Sequence, residues 1–306
     1  MLQLDKIEEL QSIIKNNPTD FQTRKELAIL LIDAGFNEEA LQNLLYLAKT
    51  FTNDELIFYN LGVVYEKLKK FDKACENYEK AIELNSEFID AIYNLGLVYT
   101  ELKMYESAIM CFEKVLKDDN TDSNSYFNLG LVYFKTKDYN QAMTNFQKTI
   151  ELNDEDIYAH FYIGNIFKEM GDLNSAKQKF HKVLELSPDY SWAYYNIAVI
   201  DYEQGDIENA KNNLVNTLNL NPMDEEAYKI LVKIFTREKN IKMAMSLLDS
   251  AIENCNKSGD FHYIKGEIYK RMKSFDKAKE EFTKAIKFSS KLSYPKEVIE
   301  KELNAL

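Results

Sequence analysis

A period of 34 residues runs through most of the chain and constrains its fold more than any other feature. In residues 55–88 an aromatic residue, Phe58, is followed by Leu61, Gly62 and Tyr65, and later by Ala74. The pattern returns in units at 21–54, 55–88, 89–122, 123–156, 157–190, 191–224, 225–258 and 259–292. The alanine recurs as Ala40, Ala74, Ala108, Ala142, Ala176, Ala210, Ala244 and Ala278, and the place of Gly62 is taken by Ala28, Gly96, Gly130, Gly164, Ala198, Val232 and Gly266. A fixed period of this length is the signature of a stacked repeat array.

Each unit contains two stretches of helical apolar spacing, such as 58–68 and 71–82. A short polar break separates the two stretches. In two of the breaks, Gly171 and Gly205 can end the first helix with a positive φ. Aspartates then stand where the second helix needs an N-cap: Asp138, Asp172 and Asp206. The sequence therefore predicts an antiparallel helix pair in each unit, and the pairs must stack because one pair alone cannot bury its apolar faces.

The order aromatic, Leu-Gly, Tyr, Ala, aromatic, Ala at this period resembles the tetratricopeptide repeat. The resemblance covers residues 21–292 and implies an all-α, right-handed superhelical solenoid of eight helix pairs. It also implies that the first helix of each pair lines a concave groove, and that the usual activity is to hold protein segments. Residues 1–20 and 293–306 are expected to be capping helices, the second of them covering the last repeat with Ile299, Leu303 and Leu306.

Composition narrows the class of protein. The net charge of −12 argues against nucleic acid or an anionic membrane as the main partner. The three cysteines, Cys75, Cys111 and Cys255, form no CxxC motif, so they favour a reducing, cytoplasmic location over a disulfide framework or a zinc site. We expect no secretory signal, no membrane-spanning segment, no metal and no cofactor.

A row of asparagines precedes the Leu-Gly of several units. Asn60, Asn94, Asn128 and Asn196 share this place, and Tyr162 interrupts the row. A carboxamide offers the donor and the acceptor that an extended peptide backbone requires, so the row is a candidate peptide-binding ladder. The alternative is that each asparagine is solvated and has a local role.

Aromatic residues come directly before these positions: Tyr59, Tyr93, Phe127, Phe161 and Tyr195. Val63, Leu97, Leu131 and Val199 follow one helical turn later. If these side chains face the groove, as the family register implies, they form an apolar strip of the kind that binds partners. The alternative is that several of them pack between neighbouring units.

Basic residues concentrate near the C-terminal end, where residues 225–306 carry a net charge of +4 and the preceding 224 residues one of −16. Lys229, Lys233 and Arg237 recur every four residues along one helical face, and Lys270 and Arg271 follow in the next unit. The stripe has two interpretations. It is a binding site for an acidic segment or a free carboxylate, or it is a solvated face neutralised by nearby Glu226 and Glu267.

The sequence contains no pattern that indicates catalysis. His160 and His262 stand at the place of Phe58, which favours packed histidines over ligands, and no phosphate loop or nucleophile motif is present. Asp201 replaces the tyrosine of Tyr65, where we expect a hydrogen bond or a local gap. The cations of the family's clamp for chaperone tails are also missing. Ile29 lies four residues after Lys25, and the first helix of the unit 89–122 offers Asp90 and Asn94 in place of cations.

The sequence therefore predicts a non-enzymatic scaffold or adaptor that holds a partner peptide or helix in its groove. The alternative is a self-assembling protein in which the groove of one copy takes the terminal helix of another, giving a homo-oligomer.

Overall fold

The computed structural model describes residues 2–255, 258–288 and 292–306, which form eighteen α-helices and no strand. The chain divides into two compact units, residues 1–159 and 160–306. The end of the eighth predicted repeat, 289–291, and residues 256–257 lie outside the described residues. The all-helical prediction is confirmed, whereas the number of repeats and the boundaries of the terminal caps stay predictions.

The first unit contains nine helices and the first three residues of a tenth. They are α1 (Leu2–Asn16), α2 (Phe21–Asp33), α3 (Asn37–Thr50), α4 (Glu55–Lys67), α5 (Phe71–Leu84), α6 (Ile89–Glu101), α7 (Tyr105–Asp118), α8 (Ser123–Lys135) and α9 (Tyr139–Leu152). Helix α10 (Ile157–Glu169) contains the boundary between the units. Contacts are most extensive within the pairs α2–α3, α4–α5, α6–α7 and α8–α9. We call α2, α4, α6 and α8 first helices, and their partners second helices.

The second unit continues with α11 (Leu173–Leu186), α12 (Ser191–Gln204), α13 (Ile207–Leu220), α14 (Glu225–Arg237), α15 (Ile241–Asn254), α16 (Gly259–Arg271), α17 (Phe275–Lys287) and α18 (Lys296–Asn304). Here α10, α12, α14 and α16 are the first helices. Helix α18 packs on α17, with Ile299 fully buried beside Phe282 and with Leu303 and Leu306 half-buried around it. These are the three residues that we expected to cover the last repeat, and the C-terminal cap itself stays a prediction.

The small residue of each first helix has a steric cause. A Cβ on Gly62 would lie 2.5 Å from the ring of Tyr78, and one on Gly130 would lie 2.7 Å from the ring of Phe146. Both rings are fully buried on the following second helix, 16 residues further along. Where that position is leucine instead, the first helix carries alanine or valine: Ala28 with Leu44, Ala198 with Leu214, and Val232 with Leu248. The size of one residue thus sets the size of the other.

The turns inside the pairs end the first helix in the left-handed region. Gly171 and Gly205 both have a φ of +82°, as predicted. Five lysines take the same conformation with φ between 56° and 62°: Lys69, Lys103, Lys137, Lys239 and Lys273. The predicted N-caps Asp138, Asp172 and Asp206 are confirmed, since each carboxylate accepts a hydrogen bond from a backbone N–H three residues later.

Candidate functional site

The aromatic residues of the candidate site are half-buried in the first unit. The ring of Tyr59 lies 5.9 Å from that of Tyr78 in its own pair and 4.9 Å from that of Phe88, just before the next first helix. Tyr93 and Phe127 make the same contact with their own second helices, with ring centroids 5.8 and 5.6 Å from Phe112 and Phe146. One part of each ring therefore packs between helices, and another part stays exposed.

Hydrogen bonds join these tyrosines to the asparagines of the following repeat. The Tyr59 hydroxyl accepts a bond of 3.2 Å from Asn94 Nδ2, and the Tyr93 hydroxyl accepts one of 2.9 Å from Asn128 Nδ2. Burial raises the pKa of both phenols, and so does the charge of a nearby aspartate; the bond from asparagine lowers it by less. The phenols therefore stay neutral at physiological pH and act as fixed partners for the carboxamides.

Two of the three carboxamides, those of Asn60 and Asn128, are oriented by the backbone of their own helices. Nδ2 of Asn60 donates to the carbonyl of Leu56 at 2.8 Å, and Nδ2 of Asn128 donates to that of Asn124 at 2.9 Å. No described residue donates to Oδ1 of Asn60, Asn94 or Asn128. The row therefore offers acceptors at regular spacing, while its donors are largely engaged within the chain.

Aliphatic side chains and a shallow cavity flank this row. Val63, Leu97 and Leu131 are half-buried one turn after the asparagines. A cavity of about 330 Å³ lies beside Tyr93 at the N-terminal ends of α6 and α8, and its lining includes Asp90, Asp118, Asp119 and Asp122. The first helices of residues 1–159 thus combine apolar surface, unused acceptors and negative charge.

In the second unit the asparagine row does not continue. Phe161 has no hydroxyl, and Asn196 is buried, with Oδ1 accepting from Lys168 Nζ at 2.7 Å and Nδ2 donating to the carbonyl of Trp192 at 2.8 Å. Both ends of this carboxamide are engaged inside the fold. Tyr162 is half-buried, and burial raises the pKa of its phenol.

Trp192 is a surface residue that the repeat pattern alone did not single out. Its side chain is 54% exposed, its ring lies 6.3 Å from that of Tyr195, and both line a cavity of about 260 Å³ with Met223. The signal was present in the sequence, because Trp192 occupies the repeat position of exposed Leu56 and Tyr158. A search of the sequence for apolar residues at outward helical positions would have identified Trp192.

The three basic residues of α14 differ in their partners: Lys229 is neutralised by carboxylates, whereas Lys233 and Arg237 contact an aromatic ring. Lys229 Nζ contacts Glu226 at 2.9 Å and the buried carboxylate of Asp260 at 2.9 Å. Burial lowers the pKa of Lys229, but the two carboxylates more than compensate and raise it. Lys233 and Arg237 instead contact the ring of Tyr202, and Arg237 also donates to its hydroxyl at 2.7 Å.

Other polar residues have structural partners. Asp201 is buried, accepts from Lys177 Nζ at 2.5 Å and from Asn213 Nδ2 at 3.0 Å, and so makes the expected hydrogen bonds. His160 and His262 are buried, as predicted, and His262 Nδ1 lies 2.7 Å from Glu281. Across the described ranges, no three His, Cys, Asp or Glu side chains form a metal-binding group. None of the helices there has the length and apolar character needed to cross a bilayer.

Known proteins match this chain in sequence and in fold. Tetratricopeptide repeat models match residues 2–55, 56–88, 167–234 and 259–291, and the model for anaphase-promoting complex, cyclosome, subunit 3 matches residues 101–176. No curated protein matches the chain.

Many solved structures are similar in fold, and three of them illustrate the match. MamA 41-end from Desulfovibrio magneticus RS-1 is 26% identical with a TM-score of 0.54, covering 56% of this chain and 97% of that one. YrrB, described as a TPR protein with an unusual peptide-binding site, is 26% identical with a TM-score of 0.50, covering 64% and 97%. A tetratricopeptide repeat protein from Parabacteroides merdae ATCC 43184 is 18% identical with a TM-score of 0.57, covering 93% and 97%. The repeat pattern, the paired helices and the matching models lead to one conclusion: this chain belongs to the tetratricopeptide repeat family.

Proposed function

We propose that the chain is a non-enzymatic protein-interaction scaffold that binds an extended peptide along the first helices of residues 1–159. The observation that carries the proposal is the row of three oriented carboxamides with unused Oδ1 acceptors, Asn60, Asn94 and Asn128. Backbone N–H groups of an extended segment are the donors that such a row requires. YrrB, a protein of similar fold, is described as having a peptide-binding site, which supports the same class of function.

The apolar surface beside the row supplies the remaining contact. Val63, Leu97 and Leu131 are half-buried and offer their exposed faces to the partner's side chains, together with Tyr59, Tyr93 and Phe127. The aspartates near Tyr93 favour a partner with basic residues at that point. The proposal leaves out Asn196, whose carboxamide is engaged within the fold.

The location of α18 bears on the self-assembly alternative. Its residue Ile299 is fully buried against its own α17, so this helix would have to leave the chain before another copy could take it. The scaffold proposal requires no such step. A reducing, cytoplasmic location remains a prediction from the cysteines, and burial raises the pKa of the Cys75 thiol to about 12, which keeps it protonated.

The test uses peptides selected on the full chain from a phage-displayed library of random twelve-residue peptides, with affinities measured by fluorescence anisotropy. The Asn60→Ala/Asn94→Ala/Asn128→Ala variant should bind at least about tenfold more weakly, because each lost hydrogen bond contributes about 0.5–1.5 kcal/mol. The matched control is Asn77→Ala: Asn77 lies on a second helix and makes the same bond to the carbonyl four residues earlier, at 2.7 Å. Circular dichroism checks that helicity is retained. Unchanged affinity in the triple variant would remove the proposal.

A further inference from the structure

A small pocket in the second unit is lined by the single tryptophan of the chain, Trp192. It lies between the start of α12 and the start of α14, has a volume of about 260 Å³, and is named here the Trp192 pocket. Tyr195 forms a second wall, because its ring stands at 84° to the indole with the centroids 6.3 Å apart. Pockets for whole small-molecule ligands usually have volumes of about 300–1,000 Å³, so this one fits a single side chain better.

The indole of Trp192 is an exposed aromatic face that carries no cation. Its side chain is 54% exposed, and no lysine or arginine of the described ranges lies over the ring. Elsewhere the chain does use this contact, since Arg24 lies 4.2 Å from the ring centroid of Tyr46 and Arg237 lies 5.8 Å from that of Tyr202. Tryptophan attracts cations more strongly than the other aromatic residues do, so this ring is open to a cation from outside the chain.

Carboxylates surround this ring. Among the described residues the pocket is lined by three acidic side chains and no basic one: Asp224, Glu225 and Glu226. Ala227 N, the Ser258 hydroxyl and Lys229 Nζ each donate to one oxygen of these three carboxylates. The second oxygen of each carboxylate accepts no bond from the residues that the structure describes. The pocket therefore combines an aromatic face with acceptors that carry negative charge.

Tyr195 is exposed to this negative charge. Burial raises the pKa of its phenol, the carboxylates of Glu226 and Asp224 raise it further, and Lys229 lowers it by less. Lys229 does not neutralise the pocket, because its Nζ is shared with the buried carboxylate of Asp260 at 2.9 Å. An anionic ligand is therefore repelled, and a cationic one is attracted.

We infer that the Trp192 pocket binds an arginine side chain of a partner protein, with the guanidinium stacked on the indole and its N–H groups donating to the free carboxylate oxygens. A guanidinium is planar and stacks on aromatic faces, and its five donors can reach several acceptors at once. A lysine ammonium is a strongly hydrated point charge without a flat face, so arginine matches the exposed indole better. Met223, which is 66% exposed beside the ring, contacts the methylene groups of the arginine.

This site is separate from the carboxamide row of residues 1–159, and it rests on the proposed function only in that the partner is a protein. The row requires neutral backbone N–H donors, whereas the Trp192 pocket requires a donor that carries charge. The chain has three arginines of its own, Arg24, Arg237 and Arg271. The first two stack on rings within the chain, so Arg271 is the one that a second copy would have to supply.

The experiment first depletes a phage-displayed library of random, tryptophan-free twelve-residue peptides on a Trp192→Leu variant of the full chain. Leucine keeps the site apolar but removes the aromatic face. Selection on the wild type should then recover peptides that contain arginine. No enrichment, or enrichment of sequences without arginine, overturns the inference.

Fluorescence then reports on the pocket directly, because Trp192 is the single tryptophan of the chain. Titration with a recovered peptide should change the emission of Trp192 to a plateau. Replacing the arginine by citrulline, which has the same shape without the charge, should weaken binding by about tenfold or more, and replacing it by lysine by about threefold or more. Equal affinity of either replacement peptide, or binding seen by fluorescence anisotropy while the emission of Trp192 is unchanged, contradicts the site.

Matched variants test the two parts of the pocket. Trp192→Leu should weaken binding by about fivefold or more, whereas Tyr158→Leu, at the same repeat position and 52% exposed, should leave the affinity within about twofold. Glu226→Gln should weaken it by about threefold or more, whereas Glu253→Gln, which makes the same change on exposed α15, should leave it within about twofold. Circular dichroism checks that helicity is retained. Equal effects within either pair contradict the assignment.

Two further results separate the two proposals and the possible occupants. A recovered peptide whose binding responds to Asn60→Ala/Asn94→Ala/Asn128→Ala and not to Trp192→Leu would leave the first-helix proposal standing and overturn this one. The reverse result supports the Trp192 pocket even if the first-helix proposal fails. Light scattering that shows self-association, lost in both Arg271→Ala and Trp192→Leu, would identify a second copy as the occupant and overturn the inference.

Discussion

Gly130 and Phe146 should show strong energetic coupling in a double-mutant cycle. An alanine Cβ at position 130 would lie 2.7 Å from Cδ1 and Cε1 of Phe146 and 2.9 Å from its Cζ. Carbon atoms pack best at about 3.5–4.0 Å, and the ring is fully buried, so the overlap cannot be relieved without moving the helix pair. Overpacking of this kind costs about 1–3 kcal/mol.

The single substitution Gly130→Ala should nevertheless appear milder than this, because alanine is favoured over glycine by about 1 kcal/mol inside a helix. Phe146→Leu alone leaves a gap and should cost about 1–1.5 kcal/mol. In the double variant the alanine methyl occupies part of the space that the ring vacates, as Ala28 and Ala198 do opposite Leu44 and Leu214. The helix-propensity term cancels in the cycle, which leaves a favourable coupling of about 1–3 kcal/mol.

Urea denaturation of the four proteins, followed by circular dichroism at 222 nm, measures the coupling. The double variant should be more stable than the sum of the single effects predicts. Additivity within about 0.3 kcal/mol would refute the steric argument, because it would mean that position 130 is small for a reason unrelated to the ring opposite.

Three further substitutions test other parts of the fold by the same denaturation assay. Lys137→Gly should raise the stability by about 0.5–1 kcal/mol, since Lys137 has a φ of 62° that glycine adopts without strain; lower stability would mean that the lysine side chain contributes more than the strain costs. Lys177→Met should lower it by about 3 kcal/mol, because Asp201 would keep a buried charge without its ion partner, and a neutral result would show that the pair contributes nothing. Burial raises the pKa of Asp260, but bonds from Ser293 and Lys229 outweigh burial and lower it below the ordinary 3.8. The stabilisation from the Asp260 carboxylate is therefore fully present above pH 3.8, and it is lost as the pH falls through the lower pKa that this group has in the folded protein. The stability of the Asp260→Asn variant should consequently depend less on acid pH than that of the wild type.

Local features of the fold were predictable from the sequence because their causes are local. The aspartate caps, the turn glycines and the small residues each depend on neighbours within one repeat. Lys137 shows the limit of this reasoning, since lysine has no preference for a left-handed turn. Only its alignment with Gly171 in the 34-residue register could have revealed its conformation.

The contacts between repeats were less predictable. The register identified Tyr59 and Asn94 as candidates for the partner surface, but not that they bond to each other across 35 residues. This bond uses the Nδ2 donor of Asn94, which we had assigned to the partner from the sequence. The Oδ1 acceptor of Asn94 stays available to the partner. The pairing of Lys229 with Asp260 was equally hidden, because Asp260 stands at the repeat position of the exposed Leu56 and Trp192 but is itself buried, with bonds to Lys229 and Ser293.

The role of the basic stripe illustrates why charge patterns are ambiguous in sequence. Glu226 lies three residues before Lys229, and Glu267 lies three residues before Lys270, so both could neutralise the stripe. Glu226 makes an ion pair with Lys229, whereas Glu267 lines a cavity between α14 and α16 and has a buried oxygen that accepts no hydrogen bond from the described residues. Side-chain direction decides between the two, and the spacing of charges does not contain it.

Methyl NMR of the full chain is the most direct test of the claim that the first helices of residues 1–159 bind the partner. With ¹³C-labelled Val and Leu methyl groups, a peptide selected on the chain should shift the signals of Val63, Leu97 and Leu131. The methyl groups of Leu45 and Leu152, which are exposed on second helices, serve as the internal control and should not move. Shifts confined to the first-helix methyl groups are the predicted result. Shifts at Leu45 and Leu152, with Val63, Leu97 and Leu131 unchanged, would contradict it.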